Sequence, residues 1–303
     1  MSENDKRFNG YQPMQLPFTD PDRPVLIAGP TASGKSALAL DLAARQGGVI
    51  INADALQVFE RWRILTARPS DADEAAAPHA LYGHIGLNDD YSVGHWLREV
   101  APFLTGGKRP IIVGGTGLYF TALTNGLAEI PATPPELRKQ ANARRAAEGH
   151  GGMLAELDAA SAARIDRQNP MRVQRAWEVL QATGRGIAAW QDDTPPPLLP
   201  LCDAQAFVLM PDRDWLNERI ERRFRMMMDE GALDEARAIL PDWDPGALSA
   251  RAIGAPELIA HLQGDMDLDT AIDAAVTATR QFAKRQRTWF RARMRDWTPI
   301  SLG

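Results

Sequence analysis

The chain has 303 residues, of which 45% are apolar, and a formal net charge of −5. This composition suits a sizeable folded core and argues against global disorder. A dedicated duplex-binding domain is usually basic, so composition alone does not favour a nucleic-acid partner. No apolar run reaches the ~18 residues that a membrane span requires, and the start of the chain lacks the apolar core of a signal peptide. We therefore expect no membrane partner.

The single cysteine, Cys202, cannot form an internal disulfide, which suits a cytoplasmic protein. The five histidines show no metal-ligand spacing with it, which argues against a zinc site. Residues 1–20 mix charged residues with Asn, Gln and Pro, and we expect them to form a flexible N-terminal extension.

Short apolar runs in the chain predict the strands of a sheet. Residues 25–28, 49–51, 111–113 and 206–209 are such runs, and a leucine spacing typical of a helix follows the first of them at 36–44. The order strand, helix, strand indicates a parallel sheet with crossover helices.

A helical segment interrupts this pattern after Pro131. A charged helix is predicted at 136–147, and a second helix begins at Asn169-Pro170, a good N-cap and first-turn pair, and ends at Gly184. A proline run then forms a linker. We predict a core made of 21–130 and 200–303, with a helical insertion at 131–195.

Two long helices are predicted near the end of the chain. On the second, four basic residues recur at helical spacing and form one basic stripe, which consists of Arg280, Lys284, Arg287 and Arg291. A local basic patch can bind phosphates even in an acidic protein.

The strongest motif is GPTASGKS at 29–36, with two glycines separated by four residues and followed by Lys and Ser. It lies between a predicted strand and a predicted helix, the context that a P-loop requires. The glycines allow backbone N–H groups to face phosphate oxygens, and the helix N-terminus adds partial positive charge. We expect Lys35 to neutralise the terminal phosphates and Ser36 Oγ to hold Mg²⁺. The predicted phosphate-binding residues are Gly29, Thr31, Ala32, Ser33, Gly34, Lys35 and Ser36.

The motif predicts an α/β fold of the P-loop NTPase-like type, a parallel sheet flanked by helices. It does not decide the chemistry, because kinases, ATPases and other transferases share it. Two further positions bear on that question. Asp54 follows the second strand, at the sheet edge where ligands bind, and is a candidate base or Mg²⁺ ligand. Its alternative role is to cap a possible short helix. Thr116 lies between glycines at the end of the third strand, where the alternative is a tight turn.

Six sequence blocks occur in a characteristic order. They are GPTASGKS, the strand ending in Asp54, GGTGLYF, NPMRVQRAWEVLQATG, the helix at 219–231 and ATRQFAKRQRTWFR. Together they resemble the bacterial tRNA dimethylallyltransferase family, from about Val25 to Trp297. The resemblance implies transfer of a dimethylallyl group from dimethylallyl diphosphate to the exocyclic amine of the adenosine 3′-adjacent to the tRNA anticodon. It implies a cytoplasmic enzyme that uses Mg²⁺ and binds the tRNA anticodon stem-loop, and we expect a monomer.

The resemblance also implies roles for individual residues. Asp54 matches the general base, Thr116 a contact to the target base, and Lys35, Thr31 and Ser36 the diphosphate and Mg²⁺ contacts. Arg223, or less favourably Arg219, is expected to clamp the diphosphate. The positions matched to tRNA contacts are Asp54, Ala55, Leu56, Gln57, Thr116, Arg138, Met171, Arg172, Val173, Gln174, Arg175, Lys284, Arg285 and Gln286.

The sequence departs from the family near the expected base. Ala55 and Phe59 stand where the family usually has Ser and Tyr, so two hydroxyls are lost. Three alternatives remain open: a P-loop kinase of a small metabolite that binds ATP, an isopentenyltransferase acting on free adenine nucleotides, and a nucleotide-gated RNA-binding module without chemistry.

Overall fold

The computed structural model describes Leu16 and residues 19–302. Its sheet contains six parallel strands in the order β3-β2-β4-β1-β5-β6. The strands are β1 (Val25–Ala28), β2 (Val49–Asn52), β3 (His79–Ala80), β4 (Pro110–Gly114), β5 (Gln205–Pro211) and β6 (Thr298–Leu302). The four apolar runs identified in the sequence form β1, β2, β4 and β5, so the expected parallel α/β fold is confirmed. The two edge strands, β3 and β6, were not predicted.

The central strands are apolar throughout because helices cover both faces of the sheet. Leu26 and Ile112 face one helical layer, whereas Ile27 and Ile111 face the other, and all four side chains are fully buried. The first face is covered by α3 (Val93–Thr105), α4 (Gly117–Asn125) and part of α13 (Leu268–Arg293), and the second by α1 (Lys35–Gln46). A shorter helix, α2 (Asp71–Ala76), leads into β3.

The C-terminal helices form their own apolar cluster in the same unit. It joins α10 (Arg213–Asp229), α11 (Ala232–Ile239), α12 (Ala255–Gln263) and the first half of α13. Buried Leu216, Ile220 and Phe224 supply one face of it, at the spacing expected of an amphipathic helix. These helices extend the core beyond the sheet and carry charged residues toward the strand ends.

The chain divides into two compact units, one formed by residues up to Thr124 together with Leu199 onward, and the other by Asn125–Leu198. The predicted insertion, 131–195, lies within the second unit. Its helices are α5 (Pro135–Glu148), α6 (Gly151–Ala155), α7 (Ala159–Arg164), α8 (Pro170–Thr183) and α9 (Ile187–Asp192). The Asn169 side chain caps α8 and the left-handed Gly184 ends it. Most of the predicted flexible extension, 1–20, lies outside the described residues.

Across the ranges just given, none of the helices has both the length and the apolar character needed to cross a membrane.

Candidate active site

The segment 29–34 makes a tight turn between β1 and α1. Gly34 has a φ of +91° and Ala32 a φ of +61°, both in the left-handed region. A Cβ on Gly29 would lie 2.8 Å from Ser33 Oγ and 3.0 Å from Leu209 Cβ, so a larger residue there would force these neighbours to shift. The buried Ser33 Oγ has no hydrogen-bond partner among the described residues. The turn therefore has the P-loop form, and the Ser33 hydroxyl is available to bind a ligand.

Lys35 begins α1 at the mouth of this loop. Its Nζ donates to Pro30 O at 3.4 Å. Burial lowers the pKa of Lys35 to about 8, the Asp54 carboxylate opposes this shift, and Arg223 adds to it. A buried ammonium with a lowered pKa gains much from an anionic partner, which suits phosphate binding.

Asp54 lies just beyond the carboxyl end of β2 and is held in place by Asn52. Asn52 Oδ1 accepts the Asp54 N–H at 2.8 Å, and Asn52 Nδ2 donates to Asp54 O at 2.9 Å. Asp54 Oδ1 accepts the N–H of Leu56 at 3.0 Å, which makes a local turn. The possible short helix after Asp54 is not formed; its residues make turns instead. Asn52 was not identified as functional from sequence, although a polar residue ending a buried apolar strand is a usable signal.

Thr116 links the end of β4 to Asp54. Its Oγ1 accepts the N–H of Ala55 at 2.9 Å, and its own N–H donates to Ala53 O at 3.1 Å. A Cβ on Gly114 would lie 2.0 Å from Ala53 O, so glycine permits this close approach of the two strand ends. The structure thus places Thr116 directly beside the backbone that carries the candidate base.

Two arginines of α10 approach the same loop. Arg219 Nε donates to Ala32 O at 3.0 Å, and its guanidinium lies 4.6 Å from the centre of the Trp215 ring. Arg223 lies one turn further along, where burial and then Arg219 lower its pKa while Asp54 opposes the shift. Arg223, not Arg219, lines the cavity described next.

A cavity opens beside these groups and is lined by both polar and apolar residues. Its polar lining comes from Thr31, Asp54, Thr66, Arg223 and Thr279. Its apolar lining includes Leu65, Ile220, Phe224, Met227, Ile253 and Phe282. The cavity therefore brings one carboxylate, one guanidinium and threonine hydroxyls together with apolar side chains.

The segment that carries Leu65 and Thr66 is anchored on both sides. The Glu235 carboxylate accepts the N–H groups of Arg63, Ile64 and Leu65 at 2.6, 2.9 and 3.0 Å. Burial raises the pKa of Glu235, whereas these three backbone bonds oppose the rise. Gln57 Nε2 donates to the carbonyls of Thr66 and Ala67 at 2.8 and 3.0 Å. No signal in the sequence points to Glu235. The Gln57 side-chain nitrogen, which was expected to face tRNA, is hydrogen-bonded to the backbone of this segment.

Of the three residues of α13 that were expected to contact tRNA, two are exposed and one is buried. Lys284 and Arg285 are exposed, and Arg285 lies 5.8 Å from the Phe282 ring centre. Gln286 is buried and faces the phosphate loop.

Two further expected tRNA contacts follow Asp54 directly. Leu56 lines the cavity, and Ala55 donates its N–H to Thr116 Oγ1.

The expected contacts of the second unit also divide into two groups. Arg138, Met171 and Arg172 are exposed, whereas Val173 and Gln174 are buried. Arg175 donates to Thr133 Oγ1 at 2.5 Å and lies 4.0 Å from Glu178. The exposed side chains and the partly exposed Arg175 can therefore touch a partner without rearrangement of this unit, whereas Val173 and Gln174 cannot.

The fold and the site together define a P-loop α/β protein with a carboxylate and two arginines at the phosphate loop. The model of the IPP transferase family matches residues 57–293, and the chain belongs to that family. It is a transferase. The matched range begins after the phosphate loop and Asp54, but the similarities below extend further toward the N-terminus.

One relative, a tRNA dimethylallyltransferase of Cereibacter sphaeroides, is 67% identical over 95% of this chain and 92% of its own. The structure of the full-length tRNA isopentenylpyrophosphate transferase of Bacillus halodurans is 31% identical with a TM-score of 0.65, covering 92% of this chain and 90% of that one. A eukaryotic dimethylallyltransferase acting on tRNA is 25% identical with a TM-score of 0.78, covering 92% and 73%.

Proposed function

We propose that this enzyme transfers a dimethylallyl group from dimethylallyl diphosphate to the exocyclic amine of the adenosine 3′-adjacent to the tRNA anticodon, with Asp54 as general base. One observation carries the proposal: Asp54 lines a single cavity together with Thr31, Arg223 and several apolar side chains. A phosphate loop alone would suit many nucleotides. A five-carbon group beside a diphosphate matches a lining that contains both apolar and polar residues.

The phosphate loop and the basic residues around it bind the diphosphate in this account. The loop N–H groups and the Ser33 hydroxyl donate to its oxygens, while Lys35 and Arg223 supply positive charge. These groups bind the leaving group more strongly as its negative charge grows, which lowers the barrier to breaking the C–O bond.

A magnesium ion fits this site through Ser36. Mg²⁺ in nucleotide-type sites binds few protein groups and takes its remaining ligands from phosphates and water. Within the described part of the chain, no group of three or more His, Cys, Asp or Glu is arranged to hold a metal. Ser36, exposed in the first turn of α1, is the residue that would hold the ion, and the ion would neutralise charge on the diphosphate.

Asp54 then deals with the acceptor. The lone pair of an adenine amine is delocalised into the ring, so the amine is a weak nucleophile until it loses a proton. As the new C–N bond forms and the C–O bond breaks, the amine proton passes to the Asp54 carboxylate and diphosphate leaves. Thr116 and Asn52 fix the backbone at Asp54 and Ala55, which holds Asp54 in the lining of the cavity.

Exposed basic side chains support tRNA as the acceptor. Lys284 and Arg285 lie on the surface of α13, and Arg138 and Arg172 on the surface of the second unit. Such residues bind RNA phosphates, and an anticodon-loop base can leave its stack to enter a pocket. The cytoplasm is the compartment that we propose for this reaction.

The experiment incubates the protein with Mg²⁺, labelled dimethylallyl diphosphate and unmodified tRNA, then digests the tRNA and maps the label. Label on the adenosine 3′ to the anticodon is the expected result. Label on free adenine nucleotides but not on tRNA would assign the nucleotide-modifying alternative. No label on either substrate would overturn prenyl transfer, and ATP consumption with a small metabolite would then identify a kinase.

A further inference from the structure

Gln286 connects the phosphate loop to the end of β4. Its side chain projects inward from α13 and is only 6% exposed. The Oε1 atom accepts the N–H of Thr31 at 2.9 Å, and the Nε2 atom donates to Gly115 O at 3.0 Å. A backbone N–H can only donate and a carbonyl can only accept, so the two partners fix the orientation of the amide.

The same amide lies beside the candidate base. If Gly115 had a Cβ, that atom would lie 2.4 Å from Gln286 Nε2 and 3.1 Å from Asp54 Oδ2. The absence of a side chain at Gly115 therefore makes room for both groups. Residue 116, which follows directly, is the threonine that holds the N–H of Ala55 at 2.9 Å. Gln286 is thus tied on one side to the diphosphate cradle and on the other to the segment that holds Asp54.

We propose that Gln286 is a positioning residue that sets the phosphate loop in register with the segment carrying Asp54. This inference rests on the proposed function. It assigns Gln286 a role different from the tRNA contact that the family resemblance implies, because the amide is buried and both of its ends are engaged by backbone groups. The donor's diphosphate and the base must act on atoms of one reaction, so their relative placement governs the rate.

The test compares Gln286→Leu with Gln281→Leu, the same substitution at an exposed position of the same helix. Leucine keeps most of the volume but removes both hydrogen bonds. Three quantities are measured: the affinity for inorganic diphosphate without tRNA, the KM values for the two substrates, and kcat. Circular dichroism melting checks that each variant is folded.

For Gln286→Leu we expect the affinity for inorganic diphosphate to fall about fivefold to tenfold, because the substitution removes two hydrogen bonds. We expect kcat to fall at least about tenfold for the same reason. The KM for tRNA should change less than about twofold, and Gln281→Leu should match the parent protein. Unchanged diphosphate affinity with a raised KM for tRNA would overturn the proposal and favour an RNA contact. Lower thermal stability with unchanged affinity and kcat would overturn it in favour of a purely structural role.

A second variant keeps the proposal testable if Gln286→Leu does not fold. Gly115→Ala places a methyl group against Gln286 Nε2, so the amide must leave the Gly115 carbonyl or the loop must shift. We expect the same loss of diphosphate affinity as in Gln286→Leu; an unchanged affinity would contradict the proposal. Because diphosphate binding is measured without tRNA, failure of the parent protein to modify tRNA would remove the proposed function and leave this comparison valid.

Discussion

The hydroxyl of Thr116 accepts the backbone N–H of Ala55 at 2.9 Å, and this bond joins the ends of β4 and β2 beside Asp54. The contact uses the main chain of residue 55, so it does not depend on a hydroxyl side chain at that position. Phe59, the second departure from the family pattern, is 1% exposed and forms a bridge with Ile85. Asn52 and Thr116 therefore hold the backbone at Asp54 and Ala55 without a hydroxyl at position 55 or 59.

Arg223 should act on the donor and not on the RNA. We expect Arg223→Gln to raise the KM for dimethylallyl diphosphate about tenfold to a hundredfold, since it removes a charged partner of the diphosphate at a partly buried site. The KM for tRNA should stay within about twofold. Steady-state kinetics with each substrate varied in turn would show this. The matched control is Arg222→Gln, an exposed neighbour on the same helix; equal effects of the two substitutions would contradict a specific role for Arg223.

Donor binding should weaken in alkaline solution because of Lys35. The pKa of this ammonium is about 8 in the free protein, and a bound diphosphate raises it by favouring the charged form. Binding therefore takes up a proton above pH 8, and affinity should fall by up to about tenfold per pH unit until the pKa of the complex is reached. The phosphate of the donor has its last ionisation at about pH 6, which is below the pKa of Lys35.

Titration calorimetry with dimethylallyl diphosphate between pH 7 and pH 9.5 measures this dependence. Lys35→Met should bind more weakly at pH 7 and show little change up to pH 9.5. Lys108→Met, at an exposed lysine, should retain the parent profile. A flat profile in the parent protein would exclude Lys35 as the titrating group.

Glu235 should matter for the stability of the fold. Glu235→Ala leaves three backbone N–H groups at Arg63, Ile64 and Leu65 without their acceptor. We expect unfolding free energy to drop by about 2–4 kcal/mol, as for several unsatisfied, partly buried donors. Urea unfolding measures the drop. Asp234→Ala, which removes only an exposed ion pair with Arg237, should cost less than about 1 kcal/mol. Similar losses in the two variants would contradict the anchoring role of Glu235.

The sequence identifies the parts of the fold that are governed by burial. The runs at 25–28 and 111–113 are apolar because their strands are covered on both faces. The two-residue strand at His79–Ala80 is too short to produce a pattern, and Thr298–Leu302 is largely exposed and contains Pro299. The periodicity of α13 shows which residues share a face, but not that Gln286 meets Thr31, a residue 255 positions away.

In the site, too, some features can be predicted from the sequence and others cannot. The spacing of Gly29, Gly34 and Lys35 is local, so the phosphate loop can be identified from sequence. Asn52 and Glu235 act on backbone groups through contacts that exist only in the folded chain. Their roles depend on tertiary distances, which residue type and spacing do not contain.

Single-turnover transfer with Asp54→Asn tests whether Asp54 is the base for prenyl transfer to tRNA. The experiment mixes saturating enzyme and labelled dimethylallyl diphosphate with limiting unmodified tRNA, and follows label in the anticodon-loop fragment. Asp90→Asn, an exposed position, serves as the control. We expect Asp54→Asn to bind the donor within about threefold of the parent but to transfer label about 10²–10⁴ times more slowly, the usual contribution of a general base. Transfer by Asp54→Asn at the parent rate would contradict the account.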